Sequence, residues 1–264
     1  MKTTVWLWIV ATVLTLVFGV WQRVSGPTYP ISGHDSIGGT SFEYRLERTH
    51  AGAGDAVVRV ELDAPAATGT LEWREHEPAG PWQAAGMSSL SNMRGLVAPI
   101  PHHAAPQKVD YRVTLRSGES SVILPPAGLA TLRFRNDVPA WVLIPHIIVM
   151  MGALLLAVRV ALECFRPQPS LKRLTLRTLS ATFLGGFPLG MAVSAYAFGE
   201  PWGGFPLGND ATDNKTLLAF AGWLVAAFVV MRARDPRLAR PVVLAASLIM
   251  LFVYLVPHSF SMPR

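Results

Sequence analysis

Long apolar runs bracket a stretch of this chain in which apolar and polar positions alternate. The runs cover residues 5–21, 140–162, 179–198, 217–231 and 241–256. A helix needs about 20 apolar residues to cross a bilayer, with a range of roughly 17 to 25. The second and third runs meet that length and the fifth nearly does. The fourth reaches it once Thr216 and the small residues before it join the helix. Five spanning helices are therefore predicted. Between the first two runs, residues 41–47, 56–62, 69–75, 109–115 and 131–135 place apolar side chains mainly at every second position. That is the period of a strand with one buried face. Ser117-Gly118 reads as a hairpin turn into residues 120–124. Residues 22–40, rich in Gly, Pro and Ser, read as a linker. About seven short strands in roughly 110 residues predict a β-sandwich. The expected fold class is thus a membrane bundle of five spanning helices with an extracytoplasmic β-sandwich inserted between helices 1 and 2. Its parts are an anchor helix over residues 1–21, the sandwich with its linker over 22–138 and a four-helix membrane domain over 139–264.

Charge orients this scheme. The segment 163–178 carries Arg166, Lys172, Arg173 and Arg177 against Glu163, and the segment 232–240 carries Arg232, Arg234, Arg237 and Arg240 against Asp235. Short loops rich in Lys and Arg stay on the cytoplasmic side. Placing both inside puts the N-terminus in the cytoplasm, with residues 22–138, the loop 199–215 and the C-terminus outside. The expected location is a bacterial cytoplasmic (inner) membrane. The first run ends Phe18-Gly19-Val20-Trp21 with no small-x-small cleavage pattern after it, so it reads as a retained anchor rather than a cleaved signal peptide. Cleavage would leave the rest of the topology unchanged.

Composition fits a membrane chain, 51% hydrophobic with a formal charge of +6. Residues 22–138 hold 11 basic and 12 acidic side chains, so the excess charge marks cytoplasmic retention and not a nucleic-acid footprint. The expected partners are the lipid bilayer and another membrane or periplasmic protein. Cys164 is the only cysteine, which rules out an intramolecular disulfide.

Chemistry-bearing residues gather on the predicted outward face. The loop from Phe198 to Lys215 combines glycines and prolines with Trp202, Phe205 and Leu207, and ends in Asp210, Asp213 and Asn214 before the fourth helix. Helix capping is the simplest role for those oxygens, and it leaves Asp210 and Trp202 unexplained. His146 follows Pro145 near the outer end of the second helix, and His258 follows Pro257 beyond the fifth. At about 1.5 Å rise per residue both fall in the outer third, where an ionisable side chain is a functional candidate. The plain alternative for His146 is a hydrogen bond to a backbone carbonyl freed by a helix break. Two neutral imidazoles suit haem iron or, with Asp210 or Asp213, a divalent transition metal such as zinc or copper. A hard-cation site of Asp210, Asp213 and Asn214 oxygens is the other option. His102 and His103, between Pro101 and Pro106, point to opposite sides of an extended chain and read as an exposed turn. Pro188 is expected to kink the third helix, with Gly185, Gly186 and Gly190 allowing close helix contact.

Three resemblances attach to these residues. The segment 199–216, with Ile144-Pro145-His146 and Val256-Pro257-His258, resembles an uncharacterised family of bacterial integral membrane proteins. Trp202-Gly203, Asp210 and Lys215, flanked by His146 and His258, loosely resemble the Trp-rich haem-handling loop of cytochrome c assembly proteins, which implies haem as a ligand of His146, His258 and Trp202. Leu71-Glu72-Trp73-Arg74 and Tyr111 resemble the strand aromatics of fibronectin type III domains, which implies a binding or spacer module. The expectation is a non-enzymatic inner-membrane protein that binds or helps insert a metal or haem cofactor, or docks a partner complex, at its outer face. A membrane-bound metal- or haem-dependent enzyme and a pure membrane scaffold are the alternatives.

Overall fold

A computed structural model describes residues 2–64, 66–89 and 95–256 of the chain. They form two compact units, Met1–Pro27 with Val138–Arg264, and Thr28–Asp137.

The first unit is helical: α1 (Lys2–Val24), α2 (Ala140–Glu163), α3 (Leu171–Leu184), a π-helical turn (Gly185–Leu189), α4 (Gly190–Phe198), α5 (Ala211–Arg232) and α6 (Pro236–Leu255). Five segments, Thr4–Val24, Ala140–Glu163, Leu171–Phe198, Ala211–Arg232 and Arg237–Leu255, are long and apolar enough to cross a membrane. Ala153, Ala157, Ala219, Ala226 and Ala246 are buried between helices, while Leu218, Leu224, Phe228, Leu248 and Phe252 remain exposed. Helices apolar on every face belong in lipid, where small interfacial residues let backbones approach closely. Two segments read as basic loops are largely helical. Leu171, Leu174, Thr175, Thr178 and Thr182 are buried at helical spacing, so Lys172, Arg173 and Arg177 ride on α3. Asp235 caps α6 by accepting from Arg237 N at 2.8 Å, which places Arg237 and Arg240 on that helix.

The second unit corrects the expected fold class. It contains β1 (Ile31–Ile37), β2 (Thr40–Leu46), β3 (Thr49–Ala51), β4 (Ala56–Glu61), β5 (Thr68–Glu75), β6 (Gln83–Ser89), β7 (Leu96–Ile100), β8 (Lys108–Ser117), β9 (Ser120–Leu124) and β10 (Ala130–Arg135). These are not two packed sheets of a fibronectin III or Ig-like β-sandwich. They form one mixed ten-stranded sheet in the order β1-β2-β4-β7-β6-β5-β8-β10-β3, with β9 on β8. The physical reason is β6. Its residues 83–87 pair with β5 and residues 88–89 with β7, so one strand carries the ladder across what would be the gap between two sheets. The sheet therefore curls around a single core that includes Leu46, Val60, Leu71, Tyr111, Leu115, Leu132 and Phe134. β1 occupies part of the segment read as linker. The hairpin at Gly118 forms as expected, with Ser117 opposite Ser120 and a positive φ at the glycine.

Candidate functional site

The loop before α5 is built from the residues singled out as ligands, and it consumes most of them. Asp210 is the helix cap: Oδ1 accepts from Thr212 N at 2.8 Å and Asp213 N at 3.0 Å. Asp213 and Asn214 reach back instead. Asp213 Oδ2 accepts from Gly203 N and Asn214 Oδ1 from Phe205 N, each at 2.7 Å. Trp202 donates from Nε1 to Phe205 O at 3.1 Å, and its ring stacks on Phe187 with centroids 5.5 Å apart. Phe187 in turn meets Phe220 edge-on at 5.0 Å. Trp202 thus pins the loop to an aromatic cluster on the third and fourth spans.

His146 bonds to the π-helical turn. Its Nδ1 lies 3.0 Å from Gly185 O, and a carbonyl only accepts, so Nδ1 carries the proton and Nε2 the lone pair. Gly185 lets the Met150 side chain pack close, because a Cβ would fall 2.6 Å from Met150 Sδ. His258 lies outside the described residues. Among the described residues no group of three or more His, Cys, Asp or Glu side chains is placed to hold a metal ion.

A different site appears in the β unit. β2 and β4 pair only at Glu43–Glu61 and Tyr44–Val60, then part. The cause is Tyr111: its hydroxyl donates to Glu47 O at 2.6 Å, drawing the end of β2 towards β8. Arg133 N then donates to Arg48 O, and β3 runs parallel to β10. Burial, with the Glu47 charge second, pushes the Tyr111 phenol well above its usual range, so it stays a donor. The parting opens a cleft of about 670 Å³ whose lining includes Gly33, Tyr44, Arg45, Glu47, His50, residues 56–59, Tyr111 and Leu132. Gly33 gives Tyr44 its seat, since a Cβ there would lie 2.5 Å from the phenol oxygen. Buried Val58, Tyr111 and Leu132 make an apolar floor, and Glu43, Arg45, Glu47, Arg59 and Glu61 a mixed charged rim.

This cleft holds none of the sequence-predicted site residues. Charged side chains at alternate strand positions look like an ordinary solvated face, and only the path of residues 46–49 reveals that two strands separate. Compared with protein-family models, with curated proteins and with solved structures, the chain matches none.

Proposed function

We propose that this is a membrane-anchored docking protein of the bacterial cytoplasmic membrane, with its N-terminus inside and the β unit outside, where that unit binds a partner protein. The basic residues around 163–178 and 232–240 support the orientation. The observation that carries the docking reading is the cleft between β2 and β4, which offers an apolar floor and a charged rim of both signs. A photo-crosslinking residue at Arg59, on the rim, is expected to capture one defined partner in intact host cells. The same residue at Arg116, an exposed position on β8 outside the cleft lining, serves as the control. The partner, purified, should bind the detergent-solubilised protein and lose affinity for Arg59→Glu. Equal adducts at both positions would remove the reading.

One observation favours a second reading, metal or haem handling in the helical unit. The Nδ1–H···O=C bond of His146 fixes the tautomer that a metal-ligating imidazole adopts, with Nε2 open. Metal analysis and a visible spectrum of the purified protein, beside His146→Ala and His258→Ala, test it. A Soret band or stoichiometric metal lost in either variant supports this reading, and a clean spectrum after cofactor supplementation removes it.

A further inference from the structure

We infer that the cleft takes its partner by strand addition: an extended peptide segment pairs with the open backbone edge of β4. The inference rests on the docking reading and names the chemistry of the occupant.

Residues 56, 57, 58 and 59 all line the cleft, although Ala56 and Val58 are buried while Val57 and Arg59 are exposed. Successive side chains of a strand point to opposite faces, so four in a row border one cavity only if its wall is the main-chain edge. The ladder agrees. Residues 56–60 pair with β7 on one side, and on the other only Val60 and Glu61 meet β2. Residues 56–59 therefore present one unpaired edge of four residues, about 13 Å long at roughly 3.3 Å per residue. An exposed edge is a template for another strand.

The occupant follows from the walls. The opposite side is formed by β2 as it diverges and by Thr49 and His50 of β3, so the opening is a wedge within one sheet. A wedge of that kind admits a single extended chain, whereas the β4 edge of a second copy carries its own β2 alongside. Side chains of the added strand that point inward meet Val58, Tyr111 and Leu132 and should be apolar. On the outward side Arg45 is taken by Glu47 at 2.8 Å and His34 by Glu43 at 3.5 Å. Arg59 has no ion-pair partner among the described residues, so an acidic residue opposite it completes the rim. The ligand is an extended segment of alternating apolar and polar residues with one acidic side chain facing out.

The probe is a fluorescein-labelled peptide, Thr-Val-Asp-Val-Thr flanked by lysines, added to the intact protein in detergent. Saturable binding is expected, with slowed amide exchange confined to residues 45–47 and 56–59. N-methylation of alternate residues on one edge of the peptide should weaken binding at least about tenfold. Because successive N–H groups of β4 face opposite neighbours, one of Val57→Pro and Val58→Pro removes a bond to β7 and lowers the melting temperature. The other keeps the fold and abolishes peptide binding, as proline is tolerated on an open edge. Arg59→Glu should switch preference to the peptide with Lys in place of Asp. Binding that tolerates N-methylation on both edges, or protection elsewhere, overturns strand addition. So does protection of residues 56–59 that appears with dimerisation and without peptide, which would make a second copy the occupant. If the crosslinked partner binds at Arg59 while the N-methylated and parent peptides behave alike, docking stands and strand addition fails. If neither adduct nor protection appears, both fall.

Discussion

Glu163 accepts three hydrogen bonds where α2 ends: from Arg159 Nη1 at 2.7 Å, Arg166 Nη1 at 3.0 Å and Ser170 N at 3.0 Å. Arg240 Nη2 donates to Arg166 O at 2.7 Å, so the start of α6 is fastened to the same turn. Arg159 and Glu163 are almost fully buried, 4% and 1% exposed. Removing one partner of a buried pair costs about 3–5 kcal/mol, whereas an apolar replacement of both is close to neutral. Glu163→Ala should therefore lower the melting temperature of the detergent-solubilised protein sharply, and Arg159→Met with Glu163→Leu should recover most of the loss. At the opposite end of the fourth span, Asp213→Ala and Asn214→Ala each free one loop N–H, at about 1 kcal/mol apiece. Faster proteolysis between residues 203 and 208 is the expected sign. The acidic cluster before α5 was legible as capping chemistry. The position of the cap was not: capping was expected to leave Asp210 unexplained, yet Asp210 is the cap, and Asp210 and Asp213 are both of the right type. The choice falls on Asp210 since the helix begins at Ala211.

Among the elements, the third span shows how a proline is accommodated. Pro188 lacks an N–H and its ring crowds the preceding turn, and the chain answers with a π-helical turn at Gly185–Leu189. Gly186 lets α5 approach that turn: a Cβ would fall 2.5 Å from Thr216 Cγ2. Gly186→Ala should cost about 1–3 kcal/mol by overpacking, and Thr216→Ser, which deletes Cγ2, should relieve it in a thermal melt of the double variant. In the β unit, Arg112 forks onto Glu72 with bonds of 2.8 and 3.0 Å, and that hydrogen bonding holds the Glu72 carboxyl below its usual range. A depressed carboxyl adds stability that is complete above its unfolded value and disappears as pH falls through the folded one. The stability gap between wild type and Glu72→Gln, measured by denaturant titration, should thus be present at neutral pH and close in acid. Strands with strong alternation, such as β5 and β8, were legible in the sequence. β1, Ile-Ser-Gly-His-Asp-Ser-Ile, and β6, Gln-Ala-Ala-Gly-Met-Ser-Ser, were not, because most of their residues stay partly or wholly exposed and the pairing is specified by neighbours.

At the scale of the whole molecule, the native cysteine makes orientation measurable. Cys164 is buried, and burial pushes its thiol up to about 11, so it should not react with a membrane-impermeant maleimide at neutral pH. With the β unit outside, Glu119→Cys in the β8–β9 turn should label in intact cells, and Gln168→Cys, in the turn between α2 and α3, only after lysis. The reverse pattern would invert the proposed topology. The sequence by itself determined that five segments can span a membrane and that a strand-rich unit lies between the first and second. Bilayer thickness and side-chain period are local quantities, written into each run of residues. Only the tertiary structure decided that the strands close into one curled sheet, that Asp213 and Asn214 brace a loop, and that Tyr111 pulls β2 from β4. Each of these depends on a partner outside the local pattern: Glu47 meets Tyr111 across 64 positions, β5 meets β8 across roughly 40, and Asp213 and Asn214 reach back 10 and 9, and no pattern within a segment encodes which backbone group it will meet.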